Sequence, residues 1–486
     1  MLLLPDGSVM VQNVYAGWHR LTPDAAGNYT DGTWTGVSSR EGFNGTVANR
    51  LFYASAVLPS DQVFFSGGEY NNNPNNFSPV EQTNTDMFSL NAAIPWATLN
   101  LPTYNSQAWP GIGDSPCKLL PNGDILLGYN DTNNNGLVAP NATAEFNPST
   151  SAWTQTASKL NFSSTEESWV LLPDGTVLTV NCDGRQNTGQ QAQNTAEKYI
   201  PSLNEWIADA TPPVQLVDPN TDEIGPALLL PNGKVFYVGA TGNTAIYTPA
   251  SSPTAQGSWA TGPKLPSVLI NGVQTQLTAE DAPACLEPSG KVLLSIGPQV
   301  GTANQSLPEY FYEYDPTAQT YTQITGGPSY SNPFDYTAYG RFLVLPNGQI
   351  LFAYGNGEGN DPNLYFYTPA GSPNSAWAPT VQSVTKITIG DQTGYKITGT
   401  QLTGLSEAVA YGDEASQSTN YPIVYFKDID NEEGYATTLD WTPAVATGSS
   451  TVTAEFTLPF NLKTNGFTIY VIANGISSNA FQVSPH

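Results

Sequence analysis

Residues Cys117 to Asn130 read CKLLPNGDILLGYN: an apolar run, a Pro-Asn-Gly turn and a second apolar run. That order is a hairpin signal, because the turn residues reverse the chain and the flanking runs pair as strands. The phrase is written seven times: LLLPDG ending at Gly7, LPSD over Leu58 to Asp61, then LLPNG, LLPDG, LLPNG, LEPSG and VLPNG ending at Gly123, Gly175, Gly233, Gly290 and Gly348. Its prolines (Pro5, Pro59, Pro121, Pro173, Pro231, Pro288 and Pro346) lie 54, 62, 52, 58, 57 and 58 residues apart. A repeat of this length, all strands and turns, predicts propeller blades rather than a solenoid.

A second marker runs in phase with the first. One aromatic in a polar frame follows each proline: Trp34, Trp96, Trp153, Trp206, Trp259, Tyr321 and Trp377. Strands ending in a turn proline, such as AEFNP, EKYIP and AIYTP, precede most of them. Each unit therefore reads as strands a, b, c and d, with the LPNG turn between a and b. Seven four-stranded sheets are expected over residues 1–378, packed face to face because no single sheet buries both of its faces. Residues 379–486 lose the long period. They read as short alternating strands (VTKITIG, GYKITGTQL, IVYFKDI, YATTLDW, TVTAEFTLP, FTIYVIANG, AFQVSP), the pattern of an immunoglobulin-like β-sandwich.

Composition narrows the partners. Lys+Arg number 15 against 41 Asp+Glu, a net charge of −26 that repels nucleic acid and anionic membranes. No apolar run is long enough to span a bilayer, so membrane insertion is not expected. Three cysteines, Cys117, Cys182 and Cys285, are too few for a disulfide framework. The acidic, lysine-poor surface and seven Asn-x-Ser/Thr sequons (Asn28, Asn44, Asn76, Asn130, Asn141, Asn161, Asn304) suit an extracellular protein, secreted or at the cell surface. No signal peptide is visible, and the chain opens inside the first repeat.

Strand order places the site. With strand a innermost, the LPNG turns share one face and the b-to-c loops share the other. Those loops are long at Gly67–Gln82, Gly128–Gly136 and Asn181–Gln193, which points to binding on that face. Seven or eight residues before the turn prolines stand Asp114, Glu166, Glu223 and the pair Glu280-Asp281, with Glu167 beside Glu166. The seventh unit has Tyr339 there, with Tyr336 before it and Arg341 after. Carboxylates converging on one mouth repel, which raises pKa values or recruits a cation. The same acids could instead cap strand amides. Asp131-Thr-Asn133-Asn-Asn135-Gly136 matches the first half of a calcium loop, although Ala142 stands where the closing Glu belongs, so a plain Asn-rich hairpin is the rival reading. Asp428-Ile-Asp430-Asn-Glu432 reads as a solvated acidic turn. Histidine is nearly absent, with only His19 and His486, so no His-rich metal site or Ser-His-Asp triad is expected.

The seven LP-(N/D)-G turns, the strand-d aromatics and the trailing sandwich together resemble the kelch-type, galactose-oxidase-like extracellular proteins. The resemblance extends to the segment GTQLTGLSEAVAYGDEASQSTNYPIV at Gly399–Val424. It implies a seven-bladed propeller with a carboxyl-terminal immunoglobulin-like domain. Oxidases of that group hold copper with two histidines and two tyrosines, one cross-linked to cysteine. His19 is the only histidine of this propeller and the Tyr411–Tyr421 segment has none, so copper-radical oxidation is not expected. The expected function is binding of a glycan or another extracellular partner on the long-loop face, with no cofactor, or with calcium. The alternatives are a carbohydrate-active hydrolase or lyase, and a structural subunit of an extracellular assembly. In the enzyme reading Glu167, Glu223 and Asp281 are the acid/base candidates, Tyr339 and Arg341 hold substrate, and Trp109 or Trp169 stacks on a sugar.

Overall fold

The computed structural model describes residues 1–12, 17–39, 51–68, 83–130, 138–182, 194–299, 309–328, 337–354, 363–408, 419–430, 432–459 and 466–484. The chain is all-β, with seven propeller blades followed by a sheet-rich carboxyl-terminal region. Each blade is built from consecutive strands. In the third, Cys117–Leu119, Ile125–Gly128, Thr143–Asn147 and Ala152–Gln155 pair in that order. Strands a and b are buried along their length, as in Ala227–Leu229 and Val235–Val238 of blade 5, because neighbouring blades cover both faces. Strand d lies at the rim, and Ala152–Gln155 is exposed at three of its four positions.

The LPNG turns repeat one hydrogen-bond pattern. The amide of Gly123 donates to Leu120 O and that of Leu120 to Asp124 O, and the same pair of bonds recurs at Gly7, Gly175, Gly233, Gly290 and Gly348. The glycine is left-handed each time, with φ from 76° to 89°, which completes a type I turn with a bulge. In blade 2 the position is Asp61, at φ 61°.

The second marker also has a mechanical reason. Trp96, Trp153, Trp206, Trp259 and Tyr321 each sit opposite an aromatic of strand c: Phe88, Phe146, Tyr199, Tyr247 and Tyr314. Ring centroids in these pairs are 5.0–5.3 Å apart, a packing distance for tilted aromatic pairs. The polar end of each reaches back to the preceding blade. Indole nitrogens donate to Ser38 O, Asn100 O, Thr143 Oγ1 and Ala210 O, and the Tyr321 hydroxyl to Pro263 O. One side chain in each of blades 2 to 6 thus rivets blade to blade, whereas Trp34 of blade 1 sits opposite Leu21 and is 44% exposed.

Two details depart from the sequence reading. Among the described residues blade 7 has three strands (Gly340–Val344, Ile350–Tyr354, Asn363–Tyr367), and Trp377 lies in a 3₁₀ turn, Ser375–Trp377, packed against Gly290. Blade 6 carries an additional hairpin, Ser267–Ile270 with Val273–Thr278, turned by Asn271-Gly272.

In the carboxyl-terminal region, Thr380–Ile389, Gln392–Thr400 and Val452–Thr457 form one layer. Ile423–Asp428, Phe467–Ala473, Ile476–Ser477 and Phe481–Val483 form the other. Glu433–Leu439 pairs with the second layer through its first half and with the first through its second half. Between the layers Tyr395 meets Phe467 edge-on at 5.0 Å. The sandwich sits on the turn face of the propeller. Its Thr438 and Asp440 amides donate to Pro5 O and Pro59 O, its Tyr421 hydroxyl bonds Leu3 O, and Gly475 packs on Pro288 and Gly348. Turns of blades 6, 7, 1 and 2 are therefore largely covered, whereas Pro121 and Pro173 of blades 3 and 4 stay exposed.

Candidate functional site

The mouth of the channel lies opposite the sandwich, where the chain enters each strand a. Those entries share a backbone device. Phe52, Gly113, Glu166, Asp222 and Asp281, in blades 2 to 6, all have positive φ, between 47° and 65°. Left-handed backbone costs a non-glycine residue about 1–2 kcal/mol, so its recurrence marks a position fixed by the blade geometry around it.

Glu166 and Asp281, which carry this device, and Glu223, which follows the left-handed Asp222, converge from three successive blades. A carboxylate oxygen from each lies within 4.8 Å of the others, and all three residues are half-buried. Two oxygens bound to one calcium at about 2.3–2.6 Å are at most about 5 Å apart, so the spacing is that of a shared cation. Three like charges this close repel strongly, and a cation would turn that repulsion into attraction.

The other acids of the expected ring go elsewhere. Glu167 does not reach the mouth. It is fully buried, paired with Lys159, and accepts from Trp169 Nε1 (2.9 Å) and Thr179 Oγ1 (3.0 Å). Burial pushes its carboxyl up to about 7, against the pull of Lys159. Glu197 completes this group, 3.7 Å from the same ammonium and accepting from Leu160 N at 2.7 Å. Glu166 and Glu167 stand in the turn before the first strand of blade 4, Val170–Leu171, and the left-handed backbone of Glu166, at φ 61°, separates the directions of the two neighbouring side chains. Asp114 is buried, with Oδ1 accepting from Asn130 Nδ2 (2.7 Å) and Thr165 Oγ1 (2.6 Å). Glu280 is buried, and its carbonyl accepts from Thr337 Oγ1.

The expected sugar platforms are core residues. Trp109 and Trp169 are 1% and 0% exposed, so neither presents a face to a ligand. Tyr339 is half-buried at the end of the 3₁₀ turn Thr337–Tyr339. The Arg341 guanidinium donates to Ala338 O and Gly340 O and lies 5.7 Å from the Phe52 ring centroid. Tyr336, the calcium-loop candidates Asp131, Asn133 and Asn135, and most of the long b-to-c loops lie outside the described residues. Asp428 is not solvated as expected. It is 5% exposed, and its Oδ1 accepts from the amides of Asp430 and Glu432. The sequon at Asn130 is buried and its amide is engaged with Asp114, which leaves no room for a glycan there. His19 is exposed on the third strand of blade 1. Among the described residues, no helix is long and apolar enough to cross a membrane.

No family model matches the chain, and no curated protein matches it. Among solved structures it is similar to a novel fungal alcohol oxidase with catalytic diversity among the AA5 family, in complex with copper. That match covers 99% of this chain and 96% of the other, with a TM-score of 0.53 and 12% identity. The likeness is one of fold. At this identity it carries no residue across, and the chemistry must be argued from the mouth itself.

Proposed function

We propose that the protein is a secreted propeller that binds a neutral glycan at its channel mouth through a divalent cation on Glu166, Glu223 and Asp281. The observation that carries this reading is the convergence of three carboxylates from three blades within 4.8 Å. Carboxylate oxygens are hard donors that suit calcium, magnesium or manganese; copper calls for imidazole or thiolate. With two histidines in the chain, one of them exposed on blade 1, this donor set does not fit copper-radical oxidation. Calcium takes about 6–8 oxygens, so three side chains leave positions that a vicinal diol of a sugar can fill. A neutral sugar also avoids the repulsion that a chain of charge −26 exerts on anionic polymers.

Calorimetric titration of calcium into chelator-treated protein, followed by a glycan array with and without chelator, tests the proposal. Wild type should bind the cation and lose its glycan when chelated. Asp281→Asn and Glu223→Gln should each weaken cation binding at least a hundredfold. Without cation both should melt at or above the wild-type temperature, because repulsion has been relieved. Wild type that takes up no calcium, magnesium or manganese would refute the site.

The spacing also frames a second reading. Carboxyl groups about 5–5.5 Å apart serve retaining glycosidases, whereas inverting ones need about 6.5–9.5 Å to admit water. A hydrolase built on Glu223 and Asp281 would therefore retain anomeric configuration. Polysaccharide turnover abolished by either substitution would favour it.

A further inference from the structure

After its strand Gln392–Thr400 the sandwich sends residues 401–408, an arm, to the inner strands of the propeller from the turn face. Asn474 clamps the base of the arm: its Nδ2 donates to Ser406 O (2.8 Å), and its Oδ1 accepts from Thr419 Oγ1 on the returning leg (3.1 Å). Beyond the clamp, Glu407–Ala408 forms a short strand. It pairs with the inner strand of blade 5, Leu228 opposite Ala408 and Leu229 opposite Glu407. Inner strands of a propeller have an edge open toward the axis, and in blade 5 the sandwich fills it. The Glu407 side chain crosses the channel to Lys118 on the inner strand of blade 3, and the pair is buried, at 3% and 6% side-chain exposure. The short strand also touches Ala284–Leu286, the inner strand of blade 6. Five residues before Leu228 stands Glu223, and three before Ala284 stands Asp281.

We propose that Glu407 and Lys118 are positioning residues for the mouth. This inference rests on the cation reading above. The arm ties the inner strands of blades 3, 5 and 6 to one another, and two of these strands carry cation-binding carboxylates. Cation affinity needs Glu223 and Asp281 held in register to within a fraction of an ångström, and neither strand is long enough to fix that alone. The arm adds the missing backbone pairing on one side and a charge-assisted bond on the other. Through Glu407 the sandwich is therefore part of the support of the site.

The test compares wild type, Lys118→Arg and the double variant Lys118→Met with Glu407→Gln, which removes both charges so that neither is left buried alone. Hydrogen exchange by mass spectrometry is followed over the whole chain, and calcium affinity is measured well below the melting transition. In the double variant, exchange should rise at least tenfold in peptides covering residues 222–230 and 279–286, with calcium affinity weakened at least tenfold. Lys118→Arg should hold both near wild type. A rise confined to residues 117–120 and 401–408, with affinity within twofold, would overturn the inference. If wild type binds no cation, the cation reading falls, and the exchange pattern still decides whether the arm orders the mouth. Asn474→Ala, which frees the arm at its base, replaces the double variant if that one does not fold.

Discussion

Replacing Lys159 with methionine should lower the stability by about 3–5 kcal/mol, the usual effect of removing one partner from a buried ion group. Lys159, Glu167 and Glu197 have no side-chain exposure, and one ammonium serves both carboxylates. The lysine follows the last strand of blade 3, Glu167 precedes the first of blade 4, and Glu197 lies on its third, so the group joins two blades. Without the lysine, two carboxyl groups are left in a place water does not reach with no cation to offset a charge on either, and the 5.9 Å contact of the ammonium with the Trp206 ring is lost as well. Urea denaturation should show the midpoint falling steeply in Lys159→Met. In Lys159→Met combined with Glu167→Gln and Glu197→Gln the loss should be far smaller, since no charge remains unpaired. Calcium binding of the triple variant should stay close to wild type, because Glu167 faces away from the mouth. A loss below about 1 kcal/mol in the single variant would mean that water reaches the group.

Acidification from pH 8 to pH 5 should raise the melting temperature by several degrees when measured in chelator. Burial, with Asp6 nearby, pushes Asp61 from 3.8 up to about 7, and burial, with Glu313 nearby, pushes Glu287 from 4.5 up to about 7. Between about pH 7 and their unfolded values, the folded chain keeps protons that the unfolded chain has released. Stability therefore increases as pH falls through that window, and the gain is complete near pH 4. Glu313 works the other way. Burial opposes its ionisation, but bonds from Lys291 and Tyr367 outweigh burial and lower its carboxyl, so its contribution is lost as the solution becomes more acidic. An optimum near pH 5 follows. Asp61→Asn and Glu287→Gln should each flatten the rise between pH 8 and pH 5. A wild-type profile that is already flat would contradict both assignments.

What could be read in the sequence was whatever the fold repeats. The LPNG turns and the strand-d aromatics are local devices, a turn and a rivet, and each needs only its own neighbours, so they surface as spacing. The mouth was legible in outline because the entry to strand a lies at a fixed distance from a turn proline. That distance could not separate Glu166 from Glu167, since the left-handed residue at φ 61° decides which of the two faces the axis. Trp109 and Trp169 were misread because an aromatic at a strand entry serves a core or a ligand equally well until burial is known. The hairpin at Asn271-Gly272 did carry a signal, the Asn-Gly dipeptide between Ser267–Ile270 and Val273–Thr278, which the longer period obscured. Lys118 and Glu407, 289 residues apart, carried none, for no local pattern records which strand fills a distant edge.

The recurring left-handed entry has a consequence for how such a molecule changes over time. Phe52, Gly113, Glu166, Asp222 and Asp281 share a left-handed φ, while their side chains are apolar, absent or acidic. Each is a socket: the blade behind it is built by other residues, so what is plugged in can be exchanged without redrawing the ring. A lineage carrying this fold can trade one ligand for another by single replacements around the rim. A designer can do the same, with asparagine, aspartate and glycine as the replacements that the left-handed socket accepts most readily.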